Sequence, residues 1–197
     1  MTAMSNKRLI ILASASPRRK ELLEKIGLKF KVDPSDFPEE LRSGSRPAEL
    51  AVKLSQGKAR AAALKNPDAL IIAADTIGVI GRRIIGKPHT APEAVKMLEL
   101  LSGRAHRVIT GLTVLDSNSG DLISRAVETR VYFKKLSETE IRRYVASGEP
   151  LDKAGAYAIQ GLGSLLVEKI QGDYYNVMGL PLQALSEVLR EFGVNLL

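Results

Sequence analysis

The sequence predicts an α/β fold built on a mixed sheet, and three observations carry that prediction. The chain opens with an apolar run, Leu9 to Ala13, followed at once by helix-start signals. A second run, Ala69 to Ala74, is short, aliphatic and unbroken, as a strand buried on both faces requires. Between and beyond these runs, helical spacing alternates with turn-bounded hairpins, a pattern that suits a mixed sheet better than a purely parallel one. The chain of 197 residues reads as one domain, 1–197, long enough to bury a sizeable core.

Taken in order, Leu9-Ile10-Ile11-Leu12-Ala13 is the first strand, bounded by small polar residues. Ser16 stands as a helix N-cap with Pro17 at the first helical position, where its missing N–H costs nothing. Leu22, Leu23 and Ile26 give that helix an apolar face, while Lys20, Glu24 and Lys25 stay wet. Phe30 to Val32 is a weak strand, broken by Asp33-Pro34-Ser35-Asp36-Phe37-Pro38, and Glu39-Glu40 follows in the loop. Pro47 opens a long helix through Leu64 with Lys58 in its second half, and Asn66-Pro67-Asp68 ends it. The central strand, Ala69 to Ala74, ends at Asp75-Thr76. A second strand, Ile77 to Ile80, turns at Gly81-Arg82-Arg83 and returns through Ile84-Ile85.

Thr90 and Glu93 form a capping box for a helix to about Leu101. Two longer strands, Arg107 to Leu115 and Leu122 to Phe133, flank a turn-rich connection, and Ser137 with Glu140 caps the next helix. That helix stops at Ser147-Gly148-Glu149-Pro150. A loop dense in small residues then runs from Leu151 to Gly163. Leu165 to Ile170 is a strand, Gly172-Asp173 a turn, and Pro181 opens a closing helix to about Phe192. There is no internal repeat and no low-complexity segment.

Composition narrows the function classes. Hydrophobic residues make up 45% and charged residues 26%, ordinary for a soluble globular enzyme. The formal charge of +7 favours anionic partners, but aromatics are only 5% and Trp is absent, which argues against a base-stacking platform for single strands. Arg82-Arg83, Lys134-Lys135 and Arg142-Arg143 are separate pairs with acidic neighbours, so no nucleic-acid stripe is expected. The lack of cysteine excludes disulfides and thiol chemistry and fits a reducing cytoplasm. Lys7-Arg8 before Leu9 to Ala13 imitates a signal peptide, but five apolar residues fall short of the roughly 7–15 such a core needs. No stretch approaches the roughly 20 apolar residues of a membrane span, so the expectation is a soluble, cytoplasmic protein without membrane contact.

Several stretches can carry chemistry. Ser14-Ala15-Ser16-Pro17-Arg18-Arg19 brings hydroxyls and two guanidinium groups to a helix N-terminus, where free N–H groups and the dipole favour an anion. Guanidinium forks add bidentate phosphate contacts. The plainer alternative is a capped helix with two surface arginines. Asp75, directly after a buried strand, falls at the carboxyl edge of the sheet, where it can orient or deprotonate a water, ligate a divalent cation, or merely cap a turn with Thr76. Lys58 and Lys87 are surface lysines by default and gain interest only beside Arg18 and Arg19. Glu39 and Glu40 are solvated loop charges by default, with a metal role as the lesser reading. His89 and His106 lack any metal-ligand spacing and read as structural, and Asp152-Lys153 reads as a loop ion pair. The Gln160 amide can read a base edge. Gly81-Arg82-Arg83-Ile84-Ile85-Gly86-Lys87-Pro88 imitates a P-loop, but Pro88 stands where a Mg²⁺-binding hydroxyl belongs. The residues alone support an anion-binding α/β protein.

Taken together, these pieces resemble the Maf family of nucleoside triphosphate pyrophosphatases. The resemblance rests on Leu12 to Arg19, Lys58-Ala59, Ala74-Asp75-Thr76, Gly86-Lys87-Pro88, Leu101 to His106, Gly148 to Tyr157 and Gly172 to Pro181, all in order. It implies a twisted mixed sheet flanked by helices, with two lobes around a cleft, as in inosine-triphosphatase-like proteins. It also implies hydrolysis of a nucleoside triphosphate to the monophosphate and pyrophosphate with Mg²⁺ or Mn²⁺. By this resemblance Asp75 is the proton acceptor, and Ser14, Arg18, Arg19, Lys58 and Lys87 bind phosphate. Glu39, Glu40 or Asp75 would hold metal, and a homodimer is a family-level expectation. Asp152 to Gly161 resembles the dTTP/UTP subgroup, in which specificity is associated with the positions of Arg18, Thr76 and Gln160, more than the 7-methyl-GTP one. A non-catalytic binding protein acting in cell division is the reading from another class. Two departures from the family pattern stand out: Ala158 where Gly is expected, and Gly78 in place of a β-branched residue. Neither removes a proposed catalytic group.

Overall fold

The computed structural model describes residues 8–38 and 46–197. Glu39 and Glu40 lie outside the described residues. The elements run β1 (Leu9–Leu12), α1 (Pro17–Lys25), β2 (Lys31–Val32), α2 (Pro47–Ala63), β3 (Ala69–Ile80), β4 (Arg83–Ile85), α3 (Ala91–Leu101), β5 (Ala105–Asp116) and β6 (Leu122–Phe133). Then come α4 (Glu138–Ala146), three 3₁₀ turns (Glu149–Asp152, Ala154–Ala156 and Gly161–Leu166), β7 (Val167–Gln171), α5 (Tyr174–Met178) and α6 (Leu182–Glu191). The sheet order is β2-β1-β3-β5-β6-β7, with β4 paired to β3. β1 is parallel to β2 and β3, and the remaining pairs are antiparallel, so the sheet is mixed and flanked by helices as expected.

The central strand departs from its sequence reading. Rather than ending at Asp75-Thr76, β3 runs unbroken from Ala69 to Ile80, pairing Asp75 with Gly111 and Thr76 with Thr110 on β5. Nothing between Ala74 and Ile80 breaks an extended backbone, and Thr76, Ile77 and Val79 are β-branched residues that favour it. Asp75 is therefore not beyond the end of a strand. It lies where the neighbouring strand stops. β1 covers only Ala69–Ile72 of β3, with Ala13 N–H adding a bond to the Ile72 carbonyl at 2.8 Å, and β4 covers only Gly78–Ile80. Ala73 to Ile77 thus keep one ladder partner, β5, among the described residues, and the vacated edge is where a ligand can approach.

Alternation along β3 divides its faces. Ala73, Asp75, Ile77 and Val79 face α2, where Ala51, Ala59 and Ala62 are fully or almost fully buried. Leu70, Ile72 and Ala74 face the larger cluster, which includes Leu22, Leu98 and Leu185. Helix α2 lies unusually close to the sheet because Gly111, opposite Asp75, has no side chain. A Cβ there would overlap the Ala51 carbonyl and the Val52 nitrogen. Ser55 fixes the helix further, its hydroxyl 2.8 Å from the Val52 carbonyl and 2.7 Å from the Thr113 hydroxyl. Lys58 follows three residues later on the same helix face, and so projects at β3.

The smaller departures also have local causes. Ser16 adopts extended N-cap backbone, but its side chain makes no capping bond; its N–H instead donates to Ser14 Oγ at 3.2 Å. Before α3 the Thr90 hydroxyl accepts from Glu93 N–H at 3.4 Å as a capping box requires, but the Glu93 side chain accepts from His89 N–H at 2.7 Å rather than from Thr90 N–H, so half of the box forms. The box before α4 forms fully between Ser137 and Glu140. Ala158 has no positive φ, Asp68 and Ala156 being the non-glycine residues that do among those described, so the missing glycine leaves no strain at 158. Gly78 stays paired with Ile85 and Val108 in an unbroken β3. Gly81 to Pro88, read above as no P-loop, is a turn at Gly81-Arg82 with Gly81 at φ +57°, followed by β4.

Candidate active site

A cleft of about 480 Å³ opens at the vacated edge of β3, within the range of small-molecule sites. Its lining includes Ser14 and Arg18-Arg19 from the α1 entry, Phe37, Lys58 from α2, Asp75-Thr76 from β3, Lys87, and His106, Lys153 and Tyr157. Five cations, Arg18, Arg19, Lys58, Lys87 and Lys153, face one carboxylate, Asp75, among the described lining residues. An anion is the ligand such walls favour.

The Lys58 ammonium donates to Asp75 Oδ1 at 2.5 Å, and both side chains are about nine-tenths buried, at 10% and 9% exposure. The pair joins α2 to the open edge of the sheet. The buried contact holds the carboxylate in a fixed orientation.

Arg19 is used differently from the free fork anticipated above. Its Nε donates to the Gly179 carbonyl at 2.8 Å, Nη1 to Ser14 Oγ at 3.0 Å and Nη2 to Thr76 Oγ1 at 3.2 Å. Gly179 has φ +108°, a backbone conformation that favours glycine. Thr76 and Thr110 hydroxyls are 2.9 Å apart, and Thr110 donates to the Asn176 carbonyl at 3.1 Å. With the Thr110 proton so committed, Thr76 must donate to Thr110 while accepting from Arg19. A hydroxyl relay therefore anchors Arg19 to β5 and α5, and Thr76 serves first to hold that guanidinium.

Arg18 lines the cleft half-buried. Burial pulls its guanidinium below the ordinary arginine range, and the nearby Tyr144, Glu149 and Glu21 oppose that pull. Lys87 is exposed on its rim. Gly155 N–H donates to the Gly86 carbonyl at 2.9 Å, tying the Lys87 segment to the turn after Lys153. Gln160 is half-buried and is not among the lining residues, whereas its neighbour Ile159 is.

The sequence reading missed Lys153, taken above for a loop ion pair, and the cleft-facing role of His106 and Tyr157. His106 Nε2 lies 2.9 Å from the Tyr157 hydroxyl, and both rings meet Phe133 edge-on. Burial lowers the His106 pKa to about 4 and raises that of the Tyr157 phenol, so both are neutral at pH 7. No periodicity marks these residues, since they converge from a strand and a 3₁₀ turn. Phe37 was legible only as a breaker-loop residue; its ring packs where Gly57 of α2 leaves space.

A divalent cation fits this donor set in one respect. Mg²⁺ and Mn²⁺ sites can use one or two carboxylates with substrate phosphates and water completing the shell, and Asp75 supplies one carboxylate to the cleft. No group of three His, Cys, Asp or Glu suited to a metal occurs among the described residues. No helix among them is long and apolar enough to cross a membrane.

Fold and cleft together define an α/β protein whose pocket favours a polyanion, with the buried Asp75 carboxylate as the acid among its described lining residues. The family model for Maf-like proteins matches residues 9–192. A dTTP/UTP pyrophosphatase of Desulforamulus reducens is 48% identical over 189 residues, covering 96% of this chain and 99% of that protein. One from Methanosarcina barkeri is 51% identical over 190 residues, covering 96% of each. Among solved structures, a HAM1 protein from Coxiella burnetii aligns over 93% of this chain and 99% of that one, with a TM-score of 0.47 and 18% identity. The chain belongs to the Maf family.

Proposed function

We propose that this protein hydrolyses dTTP and UTP to the monophosphate and pyrophosphate. The observation that carries the proposal is the buried Lys58–Asp75 pair in a cleft otherwise lined by cations. The near-full-length relatives named for dTTP and UTP give the substrate class.

In the proposed reaction a water oxygen attacks the α-phosphorus in line, and the bond from that phosphorus to the β-bridging oxygen breaks. Asp75 orients the water and takes its proton, which then passes to solvent, while pyrophosphate leaves with the bridging electrons. Lys58 keeps the Asp75 carboxylate aimed. Arg18, Arg19, Lys58 and Lys87, with the Ser14 hydroxyl and the N–H groups opening α1, bind the phosphates and spread the charge that develops. Positioning and charge stabilisation supply most of the rate in such transfers. Asp75, with Glu39 or Glu40, would hold Mg²⁺ or Mn²⁺, which supplies charge neutralisation on the triphosphate when bound. Gln160 offers one acceptor and two donors, matching the N3–H and a carbonyl of uracil or thymine. Arg18 and Thr76 complete the specificity set, Thr76 by holding Arg19. We place the enzyme in the cytoplasm, as a homodimer.

The test is a nucleotide panel with Mg²⁺ or Mn²⁺ in which the released product is identified. dTTP and UTP should lead the panel and yield pyrophosphate. Orthophosphate as the product, or a lead for 7-methyl-GTP, would overturn the proposal, as would no turnover of any triphosphate.

A further inference from the structure

Behind the cleft, one carboxylate organises the segment that contains Gln160. Glu149 is half-buried at the start of the first 3₁₀ turn and is not a lining residue. Its Oε1 accepts from the Tyr144 hydroxyl at 3.0 Å and from Gly163 N–H at 3.0 Å, and its Oε2 accepts from Leu162 N–H at 3.0 Å. The Tyr144 hydroxyl in turn accepts from Ala158 N–H at 3.2 Å. Gly161 lies between these contacts with φ +64°, and a Cβ there would come within 2.7 Å of Glu149 Oε2. Ala158 to Gly163 is therefore tied at both ends to a single Tyr–Glu pair. Gln160 stands in the middle, next to Ile159 on the cleft wall.

The same pair also acts on Arg18 through its charge. Tyr144 and Glu149 are the leading groups that offset the burial of the Arg18 guanidinium. Burial also raises the Tyr144 phenol, which keeps its proton and remains a donor to Glu149. Removing the carboxylate would leave the Gly163 N–H and the Tyr144 phenol without an acceptor in a part-buried place, and the Leu162 N–H to solvent.

Resting on the pyrimidine-nucleotide function above, we propose that Glu149 is a positioning residue for nucleobase selection, fixing the Gln160 segment in one arrangement. It touches no reacting atom. Its effect is on which base fits and not on how phosphate is bound.

Two variants test this. Glu149→Gln keeps the volume but loses the charge and turns one acceptor oxygen into a donor facing a donor. Tyr144→Phe keeps Glu149 and removes the link to Ala158. For each, kcat and KM are measured with dTTP, UTP, CTP and GTP, inhibition is measured with inorganic triphosphate as a probe without a base, and folding is checked by thermal melting. Glu149→Gln should raise KM for dTTP and UTP about tenfold and shrink the preference for them over GTP about tenfold. Inhibition by inorganic triphosphate should weaken by less than about threefold. Tyr144→Phe should move the same ratios in the same direction by less, and it decides alone if Glu149→Gln does not fold.

Unchanged preference ratios in folded variants would refute the role of Glu149, as would inorganic triphosphate weakening as much as the nucleotides. Wild-type protein inactive on every triphosphate would count against the proposed function instead. Equilibrium binding of dUMP and inorganic triphosphate to the same variants would then read the part played by Glu149 separately.

Discussion

The two walls of the cleft are made in opposite ways. On the sheet side, Asp75 lies inside a twelve-residue strand, and Lys58 comes from a helix pressed onto β5 at Gly111. Moving either residue means breaking ladder bonds or lifting a helix off the core. On the other side, residues 149–166 hold three 3₁₀ turns, with positive φ at Gly155, Ala156 and Gly161, and side-chain bonds to Glu149 and Tyr144 fix the segment from Ala158 to Gly163. The difference separates two tasks. On the proposed function, geometry for bond breaking would be set by main-chain pairing and discrimination between bases by a few side-chain contacts.

The largest expected effect would break this division at the sheet wall. Asp75→Asn keeps the shape and removes the charge, so kcat for dTTP should fall about 10³-fold in a protein whose circular dichroism is unchanged. A variant turning over at the parental rate would remove Asp75 from the proposed mechanism.

Gly111→Ala tests whether helix docking sets the Lys58–Asp75 pair. The new methyl collides with main-chain atoms of Ala51 and Val52 that cannot rotate away. The variant should lose about 1–3 kcal/mol of stability by denaturant titration, with kcat falling more than KM rises. An active variant of parental stability would show that the close approach is dispensable.

The smallest effect sharpens the comparison at a residue that joins the walls, since His106 on β5 meets Tyr157 on the turn side. Its folded pKa of about 4 lies below the unfolded value near 6.5. Above pH 6.5 neither state is protonated and the full stability is present. As pH falls from 6.5 towards 4, the unfolded chain takes up a proton that the folded one refuses, so stability declines by about 2–3 kcal/mol. His106→Phe should flatten that part of a pH series of thermal melts. An equal decline in the variant would assign it to other groups.

Much of the fold was legible because it depends on local pattern. The span of β6 was read residue for residue, α2 to within one residue, and the Ser137–Glu140 box as it stands. The joining of two expected strands into β3 was not legible, because the Asp75-Thr76 pair resembles a turn until Gly111 and Thr110 are seen opposite it. Helix α5 was missed because five residues are too few to show a helical period. At the site, Ser14, Arg18, Arg19, Lys58, Asp75, Thr76 and Lys87 were identified as candidates and do share one cleft. Lys153 was passed over because nothing in Asp152-Lys153 distinguishes a cleft residue from a surface pair.

By itself the sequence determined which elements form and which residue types are available for an anion, since strand alternation, helix spacing and caps act over a few neighbours. The tertiary structure alone decided that Asp75 meets Lys58, that Arg19 is bound by Ser14, Thr76 and Gly179, and that Glu149 holds the turn carrying Gln160. Apart from Ser14–Arg19, those contacts join residues well separated in the chain. The Lys58–Asp75 pair and the Arg19 anchor meet where β1 stops at Leu12 while β3 continues, leaving an open edge around which distant side chains converge.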